Sequence, residues 1–251
     1  MGRKANRKFN NFFFPTGQIL LYHRIANVKS DPHLLSVSPD NFYDQLDFLK
    51  NNFNIVPLAQ IVKWIKEKKF KDRAVAITFD DGYADNLQNA LPILKKLGVP
   101  ATIFVTAGHI DSGTHFYWDN ETPETDRGKP VSHDELITLA GCNLIEIGAH
   151  TMNHPKLKKI NLEDQEMEIR QSKETIENIV GIPVTGFAYP FGGQDSFDNQ
   201  TIGLVKKSGF GYACANIHER VRNGSDIFAL PRFVMRNWGI DEFKQNLKKF
   251  I

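Results

Sequence analysis

Short β-type runs alternate with helical periods along nearly the whole chain, and this alternation leaves few architectures open. The compact apolar run Gln18–Tyr22 predicts a strand. Ser38-Pro39-Asp40 then supplies a Ser N-cap with Pro at the first helical position. Phe42, Leu46, Leu49 and Phe53 follow at spacings that fall on one helix face. Further strands are expected at Asn54–Val56, Ala74–Phe79, Ala101–Val105, Leu144–Ile147 and Thr185–Tyr189, and near Gly211–Ala213 and Phe228–Met235. Helices are expected at Leu58–Glu67, about Asn86–Leu97, His133–Ala140, Leu162–Val180, near Asp198–Ser208 and at Asp241–Phe250. Strands separated by helices pair in parallel, as a closed barrel or an open doubly wound sheet. Residues 110–130, rich in Asp, Gly, Thr, Glu and Pro, form a long loop of the kind that often carries function.

Composition narrows the function class. The 251 residues carry 31 basic and 29 acidic side chains, a formal charge of +2, which argues against a nucleic-acid partner. With 41% hydrophobic residues the chain is neither disordered nor fibrous. Cys142 and Cys214 lie far apart in apolar settings and are expected as buried thiols. No segment is long enough and apolar enough to span a membrane. Residues 1–15 read as a loose basic arm, with Phe12, Phe13 and Phe14 halted by Pro15. Lacking an apolar h-region, the arm is not a secretory signal, but it could rest on a membrane surface. The compartment stays open between the cytoplasm, the membrane periphery and secretion with a leader outside this sequence. With no linker, repeat or low-complexity tract, residues 16–251 are expected to form one domain.

Four strand ends carry conspicuous polar residues, where parallel α/β folds place their functional groups. Asp80-Asp81-Gly82 follows Ala74–Phe79. Adjacent carboxylates repel unless a cation or a proton separates them, although Asp-Asp-Gly is also good turn chemistry. His150 and His154, with three residues between them, follow the fourth long strand and could converge on one ion or simply be satisfied histidines. One Asp and two His would form a three-ligand set that leaves room for water and substrate. Tyr189-Pro190-Phe191-Gly192 breaks a strand into a turn whose N–H groups could face a developing oxyanion. His23 ends the first strand, as a structural residue or as a general acid.

In this order, Thr78-Phe79-Asp80-Asp81-Gly82, His150 to His154 and Tyr189-Pro190-Phe191-Gly192 resemble the polysaccharide deacetylase family, the NodB-homology group also called carbohydrate esterase family four. The resemblance covers residues 18 to 235. It implies a distorted (β/α) barrel of about seven parallel strands. It also implies a metal-dependent hydrolase that takes acetyl groups from N-acetylated sugars of an acetylated glycan. Carried over, Asp80 is the general base, and Asp81, His150 and His154 hold a divalent metal, most often zinc, sometimes cobalt or nickel. The Phe191 N–H helps form the oxyanion hole. Tyr189, Pro190 and Trp118 are the expected sugar contacts, and Phe116 and Tyr117 are either partners in stacking or loop anchors.

Two departures matter. Ala188 stands where many members carry an Arg beside the base, and no C-terminal Leu-x-His motif follows Asn237. The apolar-strand-plus-His motif instead opens the chain, as Leu20-Leu21-Tyr22-His23. This is similar to a circularly permuted branch that includes poly-N-acetylglucosamine deacetylases, with His23 as general acid. Leu230-Pro231-Arg232 also resembles that branch, with Arg232 in place of the missing Arg. The competing readings are a catalytically dead glycan-binding barrel and another metal hydrolase, such as an O-acetyl esterase or a phosphoesterase.

Overall fold

The computed structural model describes residues 15–250. Except for Pro15, the basic arm and the membrane contact expected of it lie outside the described residues.

Six strands form the continuous parallel run of a nine-stranded sheet, in chain order: β1 (Thr16–Tyr22), β2 (Ala74–Phe79), β3 (Ala101–Val105), β4 (Ile145–Ala149), β5 (Gly186–Ala188) and β6 (Tyr212–Cys214), with the short strand Asn54–Ile55 pairing in parallel with the start of β2. A seventh, β7 (Phe233–Val234), pairs in parallel with β1. Just before it, Leu230 makes a parallel bridge to Cys214 at the end of β6. Residues 230–234 therefore join the two edges of the sheet and bring it round to a distorted barrel. The short strand Val221–Arg222 adds antiparallel to the start of β1.

Each strand is buried on both faces, so its side chains divide by parity. Val75, Ile77 and Phe79 of β2 pack outward in the layer shared with α1 (Pro39–Asn52) and α3 (Leu91–Leu97). Ala74 and Ala76 face the other way, into a cluster with Ile19, Phe104, Cys214 and Leu230. The helix α2 (Leu58–Lys66) sends Ile61, Trp64 and Ile65 into this same cluster. The interior is tight: a Cβ at Gly148 would sit 2.3 Å from the Phe104 ring, and one at Gly186 would sit 2.5 Å from the Tyr212 hydroxyl. Glycine is required at both positions for close packing, not for turning.

Ser38 caps α1 as expected by accepting from Asn41 N–H, and Phe42, Leu46 and Leu49 are buried. The helices α4 (His133–Ala140), α5 (Leu162–Val180), α6 (Asn199–Lys207) and α7 (Ile240–Phe250) lie close to their expected ranges. Two expectations change. The helix expected from Asn86 starts as a π-helical turn, Asn86–Ala90, before α3. Pro92 has no N–H to continue an i→i−4 ladder there. The last strand shrinks to two residues because Pro231 interrupts the expected run. Both cysteines are free, Cys214 buried and Cys142 half-buried.

Phe42 is fully buried, with its ring 5.0 Å from Tyr22 and 5.8 Å from Phe79. Phe42→Ala should lower unfolding stability by about 3–5 kcal/mol, measured by urea titration. A loss below about 1 kcal/mol would mean that α1 does not anchor the β1–β2 edge.

Candidate active site

Strand parity builds the site. His23, Asp80, His150 and Asn216 each lie two residues beyond an inward-facing residue of their strand or strand extension: Leu21, Thr78, Gly148 and Cys214. All four line one cavity of about 320 Å³ at the C-terminal mouth of the barrel, where parallel barrels place their functional groups. The ends are held to each other by backbone bonds. Asp80 N–H donates to Tyr22 C=O at 3.0 Å, and His150 N–H donates to Val105 C=O at 2.9 Å.

Arg232 is the largest fully buried side chain. Its Nη1 and Nη2 donate to the two carboxylate oxygens of Asp80, both at 2.7 Å. The same guanidinium donates to Thr78 Oγ1 at 3.3 Å, Ala215 C=O at 3.3 Å and Asn216 Oδ1 at 2.9 Å. All five of its N–H donors are thereby engaged. Burial alone would push the Asp80 carboxyl up. The Arg232 guanidinium, with His150, outweighs burial and holds the carboxyl below its ordinary value.

Beside this pair, Asp81 Oδ1 lies 3.6 Å from His150 Nε2 and 3.5 Å from His154 Nε2. The three donor atoms lie within 4.8 Å of one another, and all three residues are buried. Tetrahedral coordination at roughly 2.1 Å puts donors about 3.4 Å apart, so the spacing suits one small divalent cation. His150 is oriented for this role because its Nδ1 bonds Ala188 C=O at 2.8 Å, turning Nε2 inward. Without a cation the charges are poorly placed. Burial, and then the Asp80 charge, push the Asp81 carboxyl well up. Burial lowers His150, and burial with His150 lowers His154 further, which leaves both imidazoles neutral and able to ligate.

The backbone here is strained. Asp81, Thr151, His154 and Phe191 all have φ between 58° and 72°, in the left-handed region. Glu168 secures the histidine turn by accepting from Met152 N–H at 2.9 Å and Asn153 N–H at 2.8 Å. Thr151 Oγ1 accepts from His154 N–H at 3.0 Å. Gly192 N–H donates back to Pro190 C=O at 2.7 Å, closing a γ-turn with Phe191 at its apex.

Aromatic rings wall the cavity. Trp118 stacks on the buried Phe116 at 4.6 Å, donates through Nε1 to Tyr83 Oη at 2.8 Å and lies 4.6 Å from the His154 ring. Phe191 flanks His154 from the other side at 4.8 Å and is 42% exposed, and Tyr117 is 55% exposed at the rim. Among the described residues, His23 Nδ1 has no hydrogen-bond partner. Burial pushes its imidazolium down to about 4, against the pull of Asp80.

Two expected sugar contacts lie away from the cavity wall. Tyr189 is fully buried, stacked on Phe197 at 4.0 Å with its hydroxyl donating to Phe228 C=O at 2.9 Å. It follows the inward-facing Ala188, so parity turns it outward into the helix layer. Pro190 is buried and does not line the cavity. In the other direction, His33 and Leu35 line the cavity although neither sits in a recognisable motif. Their loop is brought in by Asp126, whose Oδ2 accepts from Lys29 and Ser30 N–H, and by His33 Nε2 beside Trp118 C=O at 3.1 Å.

The profile of the polysaccharide deacetylase family matches residues 67–213, more than half of the chain. The chain belongs to the polysaccharide deacetylase family. The enzyme class expected from the sequence, an amide-hydrolysing deacetylase, is that of the family. The chain is 29% identical over 194 residues to YxkH of Bacillus subtilis, covering 76% of this chain and 61% of that one. It is 28% identical over 254 residues to the poly-beta-1,6-N-acetyl-D-glucosamine N-deacetylase of Staphylococcus epidermidis, covering 92% and 82%. The fold matches that of the Streptococcus pyogenes deacetylase PplD, solved in complex with acetate, with a TM-score of 0.78 at 20% identity over 92% of this chain and 98% of that one.

In this deacetylase-family barrel, Asp80 and Arg232 are a buried pair whose separation leaves an uncompensated charge. Arg232→Met should destabilise the fold by about 3–5 kcal/mol, and adding Asp80→Asn should recover part of that loss. Denaturant unfolding of the two variants checks this. Equal losses in both would mean that the Asp80 charge is not what Arg232 neutralises.

Proposed function

We propose that the protein is a hydrolase that removes acetyl groups from N-acetylated amino sugars of a glycan, assisted by a divalent cation, most simply zinc, held by Asp81, His150 and His154. The observation that carries this reading is the juxtaposition of an ionised Asp80 with the Asp81–His150–His154 set in one cavity: Asp80 Oδ2 lies 3.9 Å from His150 Nε2. When bound, the cation supplies Lewis-acid polarisation of the acetyl carbonyl and makes water more acidic.

The other roles belong to the chain. Asp80, kept ionised by Arg232, accepts the proton of the attacking water. The Phe191 N–H, on its strained turn, donates to the oxyanion of the tetrahedral intermediate. His23 delivers a proton to the departing amine, which leaves poorly without one. Burial disfavours the His23 imidazolium and the Asp80 charge favours it, so in this role His23 takes up its proton during the reaction. Trp118, exposed on the cavity side, offers a face for the sugar ring. The near-neutral charge suits a neutral acetylated glycan better than a polyanion. The name of the Staphylococcus epidermidis relative makes β-1,6-linked N-acetylglucosamine oligomers the first substrate to try.

Acetate release from such an oligomer should require zinc, cobalt or nickel and stop with chelator. Asp80→Asn should lower kcat by about 100-fold or more while calorimetric zinc binding persists. His23→Ala should likewise abolish turnover and spare metal binding. No acetate release by the metal-loaded protein would reject the deacetylase reading, and an unchanged rate in His23→Ala would reject His23 as the acid.

A further inference from the structure

We infer that Asn216 is a positioning residue that joins the arginine holding Asp80 to the strained turn carrying the Phe191 N–H, so that the two sides of the reaction centre are set as one rigid unit. The inference rests on the deacetylase reading for what that unit does, but its geometry stands apart from that reading.

The Asn216 side chain is used at both ends. Its Oδ1 accepts from Arg232 Nη2 at 2.9 Å, and its Nδ2 donates to Phe191 C=O at 2.9 Å. The amide orientation is fixed by chemistry, because a guanidinium only donates and a carbonyl only accepts. Flipped, the amide would set donor against donor and acceptor against acceptor. The backbone adds a third tie: Asn216 N–H donates to Gly192 C=O at 2.9 Å. The fit against the turn is close, since a Cβ on Gly192 would sit 2.5 Å from Asn216 N and 2.7 Å from its Cγ.

Two features make such a joint necessary. A γ-turn with positive φ at Phe191 is a strained conformation that persists only if its surroundings over-determine it. The two bonds from Asn216 to Phe191 C=O and Gly192 C=O, with its close packing on Gly192, do so. Arg232 and Phe191 also come from separate chain segments, and Asn216 bonds to both. Base and oxyanion donor must be aligned to within a fraction of an ångström for both to act on one intermediate. Asn216 lies on the inward parity of β6, after Tyr212 and Cys214, so the barrel wall itself sets its position.

The test compares the zinc-loaded protein with Asn216→Ala and Asn216→Asp. Ala removes both arms. Asp, of nearly the same shape, keeps the acceptor for Arg232 and removes the donor to Phe191, so it preserves the packing on Gly192 should Ala fail to fold. Each variant should lose about 10- to 100-fold in kcat on the N-acetylglucosamine oligomer with KM within about twofold, as expected when a supporting partner is lost rather than a binding contact. Zinc affinity, read by calorimetry, should stay at the unmodified value, because Asn216 touches none of the three ligands. Independently of substrate, the Phe191 and Gly192 amide resonances should shift or broaden in both variants. Asn216→Asp with unmodified kcat, or unmoved Phe191 and Gly192 resonances in a folded variant, would overturn the joint. If the unmodified protein releases no acetate, the deacetylase reading falls, and the joint is then decided by the resonances alone.

Discussion

The bidentate contact between Arg232 and Asp80 is the interaction on which the site depends. A carboxylate sealed inside a barrel takes up a proton unless a cation faces it. Arg232 does so from a fully buried position with both bonds at 2.7 Å. Asp80 can thus keep its charge among apolar walls while Asp81, one residue on and without such a partner, is pushed the other way. Two adjacent carboxyl groups are thereby given opposite tendencies by their surroundings alone. One keeps its charge, and the other lies beside two imidazoles that burial keeps neutral.

The barrel makes this possible through parity and small side chains. The inward faces of the central strands are Ala74, Ala76 and Thr78 on β2, and Gly148 and Gly186 on β4 and β5. They leave space along the axis for the long Arg232 side chain, whose guanidinium lies over the Phe104 ring at 5.5 Å. Four of the strands then run on into a polar residue of the same parity, His23, Asp80, His150 and Asn216, so that groups distant in sequence meet at one mouth. The turns that follow bend sharply, with left-handed backbone at Asp81, His154 and Phe191, all three of which line the cavity.

Much of this was legible in the sequence because the signals are local. The long strands and helices announce themselves by periodicity and caps, as with Ser38 on α1. The Asp80-Asp81 and His150–His154 pairs sit directly at strand ends. What escaped was long-range. Tyr189 and Pro190 belong to the motif but not to the cavity, and it is the sharp turn at Phe191, not the motif, that puts Phe191 alone of the three on the cavity wall. His33, Leu35 and Asn216 have no motif of their own and reach the cavity through tertiary bonds, such as those of Asp126 to Lys29 and Ser30. Arg232 had only a weak resemblance to recommend it, because its partner lies 152 residues away.

That separation also orders events as the chain is made. The strand β1 must wait for β7, and Asp80 leaves the ribosome 152 residues ahead of the guanidinium that neutralises it. Until then the nascent sheet has an open edge at β1 and a carboxylate that cannot be sealed in without a proton. The segment that zips the barrel shut is also the one that delivers the charge, so closure and competence arrive together. A chain stopped short of residue 232 could resemble the finished protein over most of its sheet and still be inert.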